Sequence, residues 1–335
     1  MDLTTRYMDL ELKNPLVASA SPLTGNLDDI RSLEDAGAAA LVLPSLFEER
    51  IEAEVSAHEV LTATGLESSP EARGYFPASE GPSPDQYLDL IRRAVTAVDI
   101  PIIASLNGTT DEGWTGYAKM IEEAGAAALE LNVYFIPTDL ALTGGDVEQR
   151  YLEVLRQVRR TVSLPLAVKL CPYFSSVGQI ATQFAAAGAD GLVLFNRFYQ
   201  PDIDLTQLRL RNDLQLSNPS EIRLPLLWIA LLCGRVDASL AASTGVEDSE
   251  QVVKYLLAGA DTVMTTAALL RRGPQHMKTL LTGTMSWLSA RDIESLDEVR
   301  GLLSQHRFTN PDSFGRASYV KILRDYAALR PHGAV

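Results

Sequence analysis

Apolar residues along this chain come in two alternating rhythms. Short runs lack any polar alternation, and the stretches between them carry an apolar residue every three or four positions. The first reads as a strand covered on both faces, the second as an amphipathic helix. Eight strands are predicted, at Leu16–Ala20, Ala39–Ser45, Pro101–Asn107, Ala127–Val133, Leu166–Cys171, Gly191–Asn196, Ala238–Thr244 and Thr262–Ala267. The helices predicted after them are Leu27–Ala36, Pro84–Val98, Asp111–Ala124, Val147–Val162, Ser176–Ala187, Leu224–Gly234, Ser249–Ala258 and Pro274–Leu288. Four times a helical stretch runs through an Ala-Gly-Ala turn into an apolar run: EDAGAAALVLPS from Glu34, EEAGAAALELNV from Glu122, AAAGADGLVLFN from Ala185 and LAGADTVMTTA from Leu257. Glycine at that point ends a helix in the left-handed conformation, which suits a short turn into the next strand.

Eight strand–helix pairs place the chain in the α/β class. They close more naturally as a (β/α)8 TIM barrel than as an open doubly wound sheet, which is the alternative. The expected organisation is a single domain over residues 1–335 with two long insertions, about 46–83 after the second strand and 197–223 after the sixth. Both follow strands, so both belong to the C-terminal face of the barrel, where active sites are built. The tail from Arg291 reads as a helix plus packing segments.

Composition narrows the partners. The chain has 335 residues, 46% of them hydrophobic, and a formal net charge of −14. That charge argues against nucleic acid and anionic membranes as partners. The first fifteen residues lack the apolar core of a signal peptide, and the longest apolar stretch, Leu224–Cys233, is too short to span a bilayer. The expected location is cytoplasmic. Cys171 and Cys233 give neither a disulfide framework nor a zinc spacing, and His58, His276, His306 and His332 form no metal motif.

Candidate chemistry gathers at strand ends. Gly245, with Thr244, Thr265 and Thr266, follows the seventh and eighth strands, where barrels commonly bind phosphate through backbone amides and a helix start. Lys169 lies inside an apolar strand, where an unpaired amine is costly to bury. It points either at a ligand or at a carboxylate, with Glu130 as a candidate partner. Asn107, Asn132 and Asn196 end three strands and offer both donors and acceptors, which suits a planar polar ring.

Several ordered segments resemble the class 1 dihydroorotate dehydrogenases. They are LKNPLVASAS, ALVLPSLFEER, ALELNV, LPLAVKLCPYF, GLVLFNRF and AASTGVEDSEQVVKYLLAGADTVMTTAALLRRGP, covering roughly Leu3 to Gly315. The resemblance implies a cytosolic FMN-binding β/α barrel, a homodimer, that oxidises dihydroorotate to orotate in pyrimidine biosynthesis. It implies that Ala18, Ser19, Ala20 and Ser45 lie beside the cofactor, where Asn107 is also expected from its strand-end position. It implies that Lys169 touches the flavin ring, that Asn132, Asn196 and Tyr75 hold the substrate, and that Thr244, Gly245, Thr265 and Thr266 hold the phosphate. No cluster-binding cysteines are present, so an iron–sulfur electron-transfer partner would be a separate chain.

The departures bear on mechanism. The family's lysine before Ser45 is Pro44, its loop asparagine falls at Tyr75, and two glycines of its phosphate loop are Ala242 and Thr244. The slot of its catalytic cysteine or serine holds Phe135 or Ile136, and neither is a base. Losing a general base costs about 10²–10⁴-fold. Tyr134 is the nearest proton-active side chain; a phenol of pKa about 10 serves better as an acid than as a base. The expectation is a flavin oxidoreductase of this type with Lys169 and Tyr134 as catalytic groups and an altered substrate or direction. Two other readings are a degenerate barrel that binds a ligand or partner without catalysis, and a non-redox barrel enzyme using Lys169 as a Schiff-base amine.

Overall fold

The computed structural model describes residues 1–51, 83–108, 114–197, 200–211, 215–307, 314 and 316–328. Eight parallel strands form the barrel: β1 Leu16–Ala18, β2 Ala40–Val42, β3 Ile102–Gly108, β4 Ala128–Val133, β5 Leu166–Leu170, β6 Gly191–Leu194, β7 Ser239–Ala242 and β8 Thr262–Thr265. Consecutive strands are neighbours, and β8 closes on β1 through Val263 opposite Leu16 and Thr265 opposite Ala18. The (β/α)8 architecture expected from the sequence is the one observed. Helices α1 Leu27–Asp35, α2 Pro84–Ala97, α3 Trp114–Glu123, α4 Gly144–Thr161, α5 Val177–Ala186, α6 Arg223–Leu232 and α7 Ser249–Ala258 follow the first seven strands. The short α8, Ala267–Arg272, and α9, His276–Ser289, follow the eighth, and α10, Arg316–Ala328, ends the described chain. Among the described residues, no helix is long and apolar enough to cross a membrane.

The glycines of the four repeated turns, Gly37, Gly125, Gly188 and Gly259, have φ of +101°, +96°, +102° and +116°. Each helix therefore stops where a residue without Cβ can turn the chain back toward the barrel.

Two packed layers follow from strands that are apolar at every position. One side of each strand meets the helices in the larger core. The other side faces the barrel axis, where Val17, Ala40, Val42, Ile103, Ala128, Ala167, Val193, Ala241 and Met264 form a second cluster. Four of those nine are alanine, too small to fill the interior alone. Tyr7, Met8 and Leu12 join the same cluster and are at most 2% exposed. They come from a hairpin, Thr5–Tyr7 paired with Leu10–Leu12, that plugs the N-terminal mouth. Sequence patterning did not reveal this hairpin: its two-residue turn is Met8-Asp9 (φ +50° and +62°), without the Asn-Gly or Asp-Gly signal.

Other departures from the pattern are local. Most predicted strands end a residue or more late: β6 stops at Leu194 rather than Asn196, and β7 at Ala242 rather than Thr244. The second splits, with Leu46–Phe47 rejoining β3 opposite Leu106 and Asn107. The insertion after β6 is not plain loop. It holds an exposed hairpin, Asp202–Asp204 with Arg209–Arg211, and a 3₁₀ turn at Pro219–Ile222. Most of the insertion after β2, with Tyr75 and His58, lies outside the described residues.

Candidate functional site

The C-terminal mouth of the barrel holds a cavity of about 270 Å³. Its lining joins Ser19 and Ala20 after β1, Lys169 on β5, Asn196 and Arg197 after β6, Ser243–Val246 after β7, and Thr265–Ala267 at the start of α8. Residues 215–217 of the second insertion fold back over it. A smaller cavity of about 210 Å³ adjoins it, sharing Phe195, Asn196, Arg197 and Thr244. Thus Ser19, Ala20, Lys169, Asn196, Thr244, Gly245, Thr265 and Thr266 are brought together from five strands far apart in sequence.

Lys169 enters because alternate residues of β5 point to opposite sides. Its neighbours Val168 and Leu170 are buried, while its own amine reaches the cavity with the side chain 11% exposed. Glu130, on the adjacent β4 and 1% exposed, faces it, with Oε1 at 3.3 Å from Nζ. The carboxylate's second oxygen is buried and has no protein partner. This amine–carboxylate pair sets a fixed dipole at the cavity floor, with the amine toward the cavity.

The strand-end amides frame that amine. Asn132 Oδ1 accepts a hydrogen bond from Asn196 Nδ2 at 2.7 Å, reaching from β4 across β5 to the end of β6. Asn107 stands beside Asn132 in the β3–β4 register. Asn107 and Asn132 do not line the cavity directly; Asn132 reaches it through Asn196.

The opposite end offers hydrogen-bond donors. Gly245 has φ +72° and Thr244 has φ +82°, so the loop after β7 turns sharply at the rim. The Gly245 amide donates to Ser217 Oγ at 3.2 Å, an oxygen supplied by the folded-back insertion. The Thr244 and Thr265 hydroxyls are spent on the carbonyls of Phe195 and Val246. Helix α8 starts at Thr266 with no side-chain cap, which leaves its first amides without an intrahelical or capping partner. Behind this rim Arg271 donates to Glu247 at 2.6 Å and to the carbonyls of Leu216 and Ser217 at 3.1 and 2.7 Å. That bridge holds the insertion against the loop.

Other residues singled out by sequence lie elsewhere. Ala18 is buried just below the cavity, within β1. Ser45 bonds Ser105 (Oγ to Oγ 2.8 Å), whose backbone is in turn held by the Tyr87 hydroxyl, so it braces β3. Tyr134 is half-buried just past β4 and lines neither cavity. Phe135 lies under the Arg150 guanidinium, 4.1 Å from its ring centroid, and Ile136 is exposed. Burial pushes the nearby Cys171 thiol up, so little thiolate is present near neutral pH to act as a base. His276 bonds the Glu247 carbonyl at 2.8 Å, a structural position behind the rim.

Sequence reasoning missed Arg197 and Ser217. Arg197 directly follows a singled-out asparagine, and that adjacency was the available signal. Ser217 carried none, because only the fold of the insertion brings it to the rim.

No family model matches the chain. Among curated proteins it is 26% identical over 316 residues to the catalytic subunit of dihydroorotate dehydrogenase B (NAD(+)) of Methanothermobacter thermautotrophicus, a match covering 90% of this chain and 98% of that protein. The corresponding subunit from Methanocaldococcus jannaschii is 24% identical over 320 residues, covering 90% and 97%. The NAD-dependent dihydropyrimidine dehydrogenase subunit PreA of Escherichia coli is 24% identical over 337 residues, covering 91% and 77%.

Proposed function

We propose that this chain, a divergent relative of the dihydroorotate dehydrogenases, is an FMN-dependent oxidoreductase acting on a carbon–carbon bond of a dihydropyrimidine-like substrate. The observation that carries this reading is the Lys169 amine, held by buried Glu130 and framed by the Asn132–Asn196 amide pair, at the floor of a cavity whose far end presents uncapped backbone amides. That arrangement fits a flavin mononucleotide. An amine suits the electron-rich end of a reduced flavin ring, and open amides at a helix start suit a phosphate.

When bound, FMN supplies the hydride chemistry. The residues that would hold it are Ser19 and Ala20 beside the ring, Lys169 at its polar edge, and Gly245, Thr265 and Thr266 around the phosphate, with Ala18, Ser45, Asn107 and Thr244 supporting these walls. The Lys169 amine, held 3.3 Å from Glu130, would stabilise negative charge that develops at the ring. Asn132 and Asn196 orient the substrate ring through paired donors and acceptors, with Tyr75 as a further contact. Tyr134, two residues beyond Asn132 and outside both cavities, would have to turn toward the substrate to serve as the proton donor of this scheme. A phenol there favours reduction of an activated C=C bond over removal of a proton. The same reading makes the protein a cytoplasmic homodimer that exchanges electrons with a separate chain, in one domain over residues 1–335.

The purified full-length protein is expected to be yellow and to release FMN on denaturation. Anaerobic dihydroorotate or a related dihydropyrimidine is expected to bleach it. A colourless protein that gains no flavin absorbance when FMN is added would end this reading. Tyr134→Phe is expected to slow flavin turnover by about 10²-fold or more with the bleaching substrate; an unchanged rate removes Tyr134 from the scheme.

A further inference from the structure

Two apolar surfaces of this chain face solvent, one on a helix and one on a hairpin, and each is suited to cover the other. We propose that α10 of one copy packs on the β6-insertion hairpin of a second copy, and the reverse, in a twofold dimer. Both surfaces lie outside the cavity, so this pairing goes beyond the flavin reading and does not depend on it.

In α10 the apolar residues Tyr319, Ile322, Leu323 and Tyr326 recur at helical spacing and are 51–66% exposed. A helix of 13 residues is marginal in water unless its apolar stripe is covered. The hairpin is amphipathic in the strand manner. Ile203 stands opposite Leu210, so the two share a face, while Asp202 and Asp204 stand opposite Arg211 and Arg209 on the other. With Leu205 and Leu208 at the turn, these aliphatic side chains are 61–84% exposed. A two-stranded hairpin is marginal alone and gains stability when a helix packs against its apolar face.

Charge, area and position each favour a second copy as the occupant. From Arg316 onward the basic side chains are Arg316, Lys321, Arg324 and Arg330 and the acidic one is Asp325, a net +3; with −14 in total, the rest of the chain carries −17. Two such acidic bodies repel, and a basic helix laid from each onto the other offsets that repulsion. The same acidity disfavours an anionic bilayer, the other surface that suits a basic amphipathic helix. A fully buried tyrosine covers about 150–250 Å², so at these exposures the helix stripe and the hairpin face each offer about 400 Å². One helix on one hairpin buries about 800 Å² in total, too little for a stable complex, whereas two such contacts reach about 1,600 Å², the standard size. Position allows both at once. The segment before α10 runs along the N-terminal face, where the Gly301 and Gln305 amides donate to the carbonyls of Leu256 and Ala230 at 2.9 and 2.8 Å. The hairpin follows β6 on the opposite face. In two barrels lying side by side and antiparallel, the helix end of each stands beside the hairpin end of its partner.

Sedimentation velocity of the full-length protein is expected to show a dimer. Leu205→Glu with Leu208→Glu, and separately Ile322→Glu with Leu323→Glu, are each expected to weaken it by about 10²-fold or more, since every substitution occurs twice across the twofold. An equimolar mixture of these two variants is expected to recover part of the dimer, because the intact helix of one meets the intact hairpin of the other. Pairing of like surfaces would instead leave one variant fully dimeric by itself. A chain carrying Leu208→Cys and Ile322→Cys, oxidised with copper phenanthroline, is expected to run as a covalent dimer, with the parent chain as control for Cys171 and Cys233; this cross-link keeps the test decisive if a glutamate variant folds poorly. A monomeric parent chain, a dimer that either glutamate pair leaves intact, a cross-link closed within one chain, or binding of a monomer to phosphatidylglycerol vesicles through α10 would each overturn the pairing. None of these readouts uses flavin, so failure here and failure of the flavin reading are separable.

Discussion

Lys169→Met is expected to lower flavin reduction by about 10²–10³-fold, as loss of a preorganised electrostatic group does, and to destabilise the barrel by about 3–5 kcal/mol. The two effects have different origins. The first is the loss of the amine that lines the cavity. The second comes from Glu130, which is 1% exposed and has one oxygen already without a protein partner. Removing the amine leaves a carboxylate in the barrel interior with no countercharge. Adding Glu130→Gln to the same chain is therefore expected to restore most of the lost stability and none of the activity. Urea unfolding of the four members of this double-mutant cycle, with stopped-flow flavin reduction on each, reads both quantities. If Lys169→Met is as stable as the parent chain, the buried pair is not the source of the constraint. If it still reduces flavin at the parent rate, the amine has no part in the chemistry.

The second large effect belongs to the scaffold. Gly259→Ala is expected to cost about 2–6 kcal/mol, from a strained backbone of about 1–3 kcal/mol and overpacking of similar size. Gly259 has φ +116°, and a Cβ there would sit 2.3 Å from Cys233 Sγ and 2.6 Å from Cys233 Cβ. Gly301 Cα lies 3.4 Å from the same point, so the cysteine has little room to retreat. Gly125→Ala is the matched control. Its φ is +96°, yet the nearest atom, Val95 Cγ1, is 3.8 Å away. It should show the backbone strain alone. The difference between the two variants in chemical denaturation isolates the packing contribution, and equal losses would refute the steric account.

These cases show how differently fold and site were written in the sequence. Gly37, Gly125, Gly188 and Gly259 advertised their conformation because left-handed backbone at a helix end favours glycine, and the apolar run after each marked a doubly covered strand. Lys169 was conspicuous for a related reason, since a charge inside such a run demands a partner. Its pairing with Glu130 was one of the options visible beforehand. By contrast Tyr7 and Met8 gave no sign of filling the barrel's mouth. Their role depends on Ala40, Ala128, Ala167 and Ala241 leaving space around the axis, which is a property of the closed barrel. Ser45 looked like a site residue, and its bond to Ser105 could be read only from the fold.

By itself the sequence determined the order of strands and helices, the closure into a barrel and the rim where the candidate residues gather. Those follow from local periodicity, turn geometry and the cost of burying charge, all set within a few residues. The tertiary structure alone decided which rim residues share a cavity. It brought Asn132 to Asn196, laid Ser217 on the Gly245 amide, fixed that segment through Arg271 to Glu247, and stood Arg197 between two cavities. Each of these joins segments separated by a whole strand–helix unit or more, and their distances exist only once the barrel has closed.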